Sequence, residues 1–194
     1  MFDRCPILTT ERLILRNFCP LDLDELVDYR NNPRSNQYQR GQLRERGDLE
    51  KLIARRASDV LDGVHSGQFA IALREKSGIA NDFDAISTND SLAIQAANPF
   101  GASFKIAPLI GEISVLVNGD SIELGYTLSY KHHRNGYATE ILAALIARLR
   151  ALNPNCTFIA HIDPENAASL ALAKKLGFRE TGRDEQENCI TFSL

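Results

Sequence analysis

The densest run of groups able to do chemistry is His132-His133-Arg134-Asn135-Gly136-Tyr137-Ala138-Thr139-Glu140, a polar turn that follows a strand-like stretch ending near Tyr130 and opens a helix. A helix start exposes N–H groups with no partner inside the helix, at the positive end of its dipole, so such a turn can hold a diphosphate. Gly136 and Ala138 are small and leave room for an anion to approach the backbone. Other reactive residue types are less suggestively placed. His65, His132, His133 and His161 lack metal-ligand spacing, and no metal is expected. Cys5, Cys19, Cys156 and Cys189 form no CxxC pair and lie beside no obvious base, so buried reduced thiols are expected. Neither a Walker-type phosphate loop nor a glycine-rich dinucleotide fingerprint is present, which sets aside those two nucleotide-binding classes.

The elements that must position this turn follow from periodicity. Glu11 to Arg16 reads as an opening strand ending near Phe18. Leu23, Leu26 and Val27 recur at helical spacing until Asn31-Asn32-Pro33, and Asp48 is expected to cap a second helix carrying Leu49, Leu52, Ile53 and Val60 and ending near Gly63. Residues 69–73 suit a strand. Residues 75–108 form a loop-rich insertion without periodicity, read as surface loop or as a lid over a binding site. Strands at 109–117 and 121–129 flank Asn118-Gly119-Asp120, a hairpin turn. Residues 136–152 then place Ile141, Leu142, Leu145, Ile146 and Leu149 on one helical face, with Glu140, Arg148 and Arg150 toward solvent. A strand at 157–162, a helix at 166–176 ended by Gly177, and a last strand at 186–193 complete a mixed α/β chain with a largely antiparallel front half.

Composition narrows the classes further. The chain has 194 residues and a net charge of -3, which suits one domain and provides no electrostatic drive toward nucleic acid. No apolar run has signal-peptide or membrane-span length, so a cytoplasmic protein without membrane partners is expected.

Ile122-Glu123-Leu124-Gly125-Tyr126-Thr127-Leu128, the Gly136-x-Ala138-Thr139-Glu140 turn, Asn166-x-x-Ser169 and Lys175-Leu176-Gly177-Phe178 together resemble the GCN5-related N-acetyltransferase (GNAT) superfamily. The ribosomal-protein-alanine acetyltransferase branch, RimJ/RimL-like, is the most similar, and the opening Glu11-Arg12-Leu13-Ile14-Leu15-Arg16 resembles its start as well. The resemblance covers 1–194 apart from the 75–108 insertion and implies a GNAT fold: a mostly antiparallel sheet flanked by helices. It implies transfer of an acetyl group from acetyl-CoA to a primary amine, a protein N-terminus or a small molecule, by direct attack in a ternary complex. A non-catalytic acyl-CoA-binding module of the same fold is the alternative, and either a monomer or a homodimer fits.

By the same resemblance the cofactor contacts are Leu128, Arg134, Asn135, Gly136, Tyr137, Ala138, Thr139, Asn166 and Lys175. Glu123 is the implied proton acceptor, with Glu112 as second choice, and backbone N–H groups of the strand from Leu124 to Ser129 would stabilise the oxyanion. Ser169 is the candidate proton donor to the departing thiolate, because Ala173 stands where the RimI-like branch places a tyrosine used as acid; His133 stands where the family usually has Arg or Gln. Structural readings stay open beside these: Glu123 as a solvated strand carboxylate, Asn166 and Ser169 as helix caps, Lys174 and Lys175 as dipole partners at a helix end.

Overall fold

The computed structural model describes residues 7–39, 41–42, 44–74 and 107–194; most of the 75–108 insertion lies outside them. Among the described residues eight strands form one sheet, in the order β1-β2-β3-β4-β5-β6-β8-β7. These are β1 (Leu8–Thr9), β2 (Leu13–Arg16), β3 (Gly67–Leu73), β4 (Leu109–Asn118), β5 (Ser121–Leu128), β6 (Thr157–Ile162), β7 (Arg179–Asp184) and β8 (Cys189–Ser193). Every neighbouring pair is antiparallel except β5–β6, which are parallel. A parallel pair needs a crossover, supplied here by helix α4 (Tyr137–Leu152). The mixed, mostly antiparallel α/β fold expected from the sequence is the one observed.

Helices α1 (Leu23–Asn31), α2 (Pro33–Asn36) and α3 (Arg46–Arg56) follow β2, and α5 (Ala167–Lys175) follows β6. One apolar cluster joins Ile141, Leu145 and Leu149 of α4 to Ile113, Val115, Ile122 and Phe158 of the sheet. A second joins Leu26 and Tyr29 of α1 and Leu49, Leu52 and Ile53 of α3 to Ala70 and Leu109. The sheet is thus covered on both faces.

Several boundaries move for physical reasons. β2 ends at Arg16, short of Phe18, because Arg16 turns inward to a buried bidentate pair with Asp22, whose carboxylate also accepts from the Cys19 N–H. Pro33 does more than stop α1: it occupies the first turn of α2, where its missing N–H costs nothing. α3 begins at Arg46 with Glu45 as N-cap, so Asp48 is a first-turn acid paired to Lys51, and Val60 lies outside the helix, 54% exposed. The β4–β5 hairpin closes through Gly119-Asp120, with Asn118 opposite Ser121 and Gly119 at φ 57°. β7 was not expected; its sequence, Arg-Glu-Thr-Gly-Arg-Asp, shows no apolar alternation because it is an exposed edge strand held by β8 alone. Of the cysteines described, Cys19 and Cys156 are buried thiols as expected, whereas Cys189 is half-buried.

Candidate active site

The β5–β6 ladder stops at Glu123 opposite Ile159, although β5 runs on to Leu128 and β6 to Ile162. The strands part there and leave a slot. Ser129 donates its N–H to Ile110 O in β4, so by strand alternation the odd-numbered residues of β5 direct their backbone groups to β4. The even-numbered ones face the slot: Tyr126 O accepts from Gln39 Nε2 at 3.0 Å, and Leu128 O lies 3.0 Å from His133 Nε2. The N–H groups of Tyr126 and Leu128 therefore lie on the slot side. A cavity of about 130 Å³ occupies the gap, lined by Leu124 to Tyr126, by Ala160 to Asp163, by Leu142 and Ile146 of α4 and by Asn166, Ser169 and Ala173 of α5. A Cβ at Gly125 would lie 2.6 Å from Ser114 Oγ, so a larger residue there requires the Ser114 side chain to move.

At one end of the slot α4 starts. Arg134 and Gly136 take left-handed φ values of 64° and 78°, and Asn135 Nδ2 bonds back to the His132 and His133 carbonyls, which curls the turn. Among the described residues no side chain caps α4, and the first backbone bond of the helix to its N-cap is Glu140 N–H to Gly136 O at 3.1 Å. The amides of Tyr137, Ala138 and Thr139 precede that bond and point out of the helix end, the arrangement a diphosphate requires.

Glu140 does not face solvent as its helical position suggested. Its carboxylate accepts from Thr10 Oγ1 (2.6 Å), the Arg12 N–H (2.9 Å) and Arg12 Nε (2.7 Å). Burial disfavours its charge, yet these donors outweigh that and hold its carboxyl below the usual range. Arg12 also donates to Asn135 O and lies 4.8 Å over the Tyr137 ring. The opening Thr10-Glu11-Arg12 stretch thus clamps the turn from the edge of the sheet.

Glu123 sits at the fork, its side chain 42% exposed and Oε2 3.9 Å from His161 Nε2. Glu112 is differently situated. It is 2% exposed, and its oxygens accept from Arg30 Nε (2.9 Å), Arg30 Nη2 (2.5 Å) and Gln68 Nε2 (2.6 Å). Burial alone would depress the Arg30 guanidinium, but Glu112 more than offsets it and holds Arg30 above its ordinary value. Asn166 caps α5, its Oδ1 accepting from the Ser169 N–H at 3.1 Å, which leaves its side-chain amide donors for the cavity it lines. Ser169 Oγ lies 2.9 Å from the Tyr126 hydroxyl. Lys174 and Lys175 are exposed in the last turn of α5, where they suit the carbonyl end of the dipole.

Sequence reasoning missed Tyr126, His161, Tyr38 and Gln39, all on the cavity wall. Tyr38 donates to Glu165 O and Gln39 to Tyr126 O, so their segment spans both lips of the slot. Tyr126 alternates with Leu124 and Ile122 and reads as core; no local signal marks it as a wall residue. His161 lies two residues beyond Ile159, the strand partner of Glu123, and it is the pairing of β5 with β6, not a local signal, that brings it near the carboxylate. Among the described residues no group of three or more His, Cys, Asp or Glu side chains is placed to hold a metal ion, and no helix is long and apolar enough to cross a membrane.

The sheet parts between two parallel strands, beside a helix start that no described side chain caps. The acetyltransferase (GNAT) domain model matches residues 12–179, and the chain belongs to that family. No curated protein matches it in sequence. Among solved structures it is similar to an acetyltransferase from Agrobacterium tumefaciens, with 19% identity, a TM-score of 0.68 and coverage of 100% of this chain and 96% of that one. Spermidine N-acetyltransferase from Vibrio cholerae, in complex with CoA and spermine, gives 16% identity, a TM-score of 0.66 and coverage of 95% and 94%. The ribosomal alpha-N-protein acetyltransferase RimL gives 14%, 0.67, 97% and 93%. At these identities the likeness is one of fold.

Proposed function

We propose that the chain is an acetyl-CoA-dependent N-acetyltransferase of the RimJ/RimL-like branch, a single domain over 1–194 that acetylates a primary amine by direct attack in a ternary complex. The observation that carries this is the slot where β5 leaves β6, opening beside the uncapped amides of Tyr137, Ala138 and Thr139. Those amides, with Arg134, Asn135 and Gly136, hold the diphosphate; Leu128 and Asn166 hold the arm that runs along the slot, and Lys175 contributes charge. Acetyl-CoA supplies the activated acyl group.

An amine with a solution pKa near ~10 is mostly protonated at neutral pH, so a proton must leave before attack. Glu123 takes that proton. It is the solvent-reachable carboxylate at the fork, whereas Glu112 is locked to Arg30 and Gln68. Glu123 lies beside His161 of the cavity wall, so a cationic amine that enters there meets a carboxylate. The slot-facing N–H groups of Tyr126 and Leu128 stabilise the oxyanion, and Ser169 protonates the departing sulfur.

Thr139→Asp separates anion binding from ordinary helix chemistry. A carboxylate in the first turn favours the helix dipole by about 0.3–1 kcal/mol, so the free protein should melt no lower than wild type. A like charge about 4 Å from the diphosphate costs on the order of 4 kcal/mol at an effective dielectric of 20, so acetyl-CoA affinity should fall at least about 100-fold by calorimetry. Unchanged affinity would remove the diphosphate site. Turnover is then read by thiol release from acetyl-CoA across peptide, polyamine and other amines; binding without release for any of them would leave only an acyl-CoA-binding module.

A further inference from the structure

We propose that Tyr126 is the positioning residue that supplies Ser169 with the proton it passes to the sulfur of coenzyme A. This rests on the acetyltransferase reading of the slot and deepens it. A serine hydroxyl is a far weaker acid than a thiol, whose reference value is near ~8.5, so Ser169 alone would give up a proton at large cost and keep an alkoxide. A phenol, near ~10, is much closer to the thiol, and efficient proton transfer needs that match. The Tyr126 hydroxyl lies 2.9 Å from Ser169 Oγ, and both residues line the same cavity. Burial pushes the Tyr126 hydroxyl up, with the Ser169 bond drawing it partly back, so it carries its proton at neutral pH; the 2.9 Å contact, not the shift, is what makes it the donor to Ser169.

Position decides the rest. Ala173, 5% exposed, lines the same cavity from α5 and has no hydroxyl, and the Tyr38 hydroxyl is bonded to Glu165 O, whereas those of Tyr126 and Ser169 meet each other. Tyr126 belongs to β5, which is paired with β4 along its length, and Ser169 is held by the Asn166 cap. Both oxygens are therefore placed by rigid elements. In the transfer the amine nitrogen bonds to the acyl carbon and the carbon–sulfur bond breaks with its electron pair on sulfur. The Ser169 proton moves to sulfur, the Tyr126 proton moves to the Ser169 oxygen, and the tyrosinate takes a proton from water as the products leave. The amine's own protons leave through Glu123.

The test uses the full chain with Tyr126→Phe, Ser169→Ala and the double variant. Calorimetry with CoA should give Kd values within about twofold of wild type for Tyr126→Phe, while kcat with a responsive amine falls on the order of 10- to 100-fold. The losses of the two single variants should not multiply in the double one, because the groups act as a unit. A readout independent of turnover is the titration of the bound CoA thiol, followed by thiolate absorbance. A donor aimed at sulfur stabilises the thiolate, so its titration should move to higher pH in Tyr126→Phe. Wild-type kcat together with an unmoved thiol titration in Tyr126→Phe would overturn the proposal while leaving the cofactor site intact; multiplying losses would overturn it too. Failure of the wild-type protein to bind CoA would instead end the acetyltransferase reading, and the proposal with it.

Discussion

Glu123→Gln is expected to lower turnover about 10²- to 10⁴-fold, the usual contribution of a positioned general base, with melting temperature and acetyl-CoA affinity almost unchanged. Gln keeps the shape and loses only the ability to take a proton. The side chain is 42% exposed and its partner His161 lies 3.9 Å away, beyond a hydrogen bond, so the substitution leaves no buried group stranded. Stability should stay within about 0.5 kcal/mol. The measurement is kcat at saturating amine, alongside His161→Asn. Retained turnover in Glu123→Gln with loss in His161→Asn would move the proton acceptor to the imidazole.

For Glu112→Ala the large effect is on stability. Removing one member of a buried pair leaves the other charge uncompensated, at a cost of about 3–5 kcal/mol. Arg30 is 2% exposed and cannot reach water without opening α1 from the sheet. For a domain of this size the melting temperature should drop by roughly 6–20 °C. The companion Arg30→Met/Glu112→Leu should recover much of that loss, because an apolar pair of similar volume has no charge to desolvate. Turnover per folded molecule, measured well below the melting point, should survive. An unshifted melting temperature with abolished turnover would make Glu112 the base after all.

The two glutamates show how far the chain could be read without its fold. Both lie on strands at similar depth in sequence, and nothing local tells them apart. What separates them is Arg30, 82 positions from Glu112, brought over the β4 surface by α1. The Asp48 misreading has a smaller cause: an acid in a first turn and an acid at a cap look alike in sequence, and only the backbone conformation of Glu45 distinguishes them. β7 escaped because an edge strand exposed on its length carries no apolar period.

Features set by interactions within a few residues were legible in the bare chain. The apolar face of α4, the Gly119 turn, the Asn166 cap and the Gly177 terminator at φ 91° each depend on 3.6-residue periodicity, on positive φ or on a side chain reaching its own helix end. The slot, the Arg12–Glu140 clamp across 128 positions and the Tyr126–Ser169 contact across 43 were decided by tertiary structure alone. Each needs groups far apart in the chain to meet, and which ones meet depends on strand order and on the residue where β5 and β6 part, neither of which leaves a local trace.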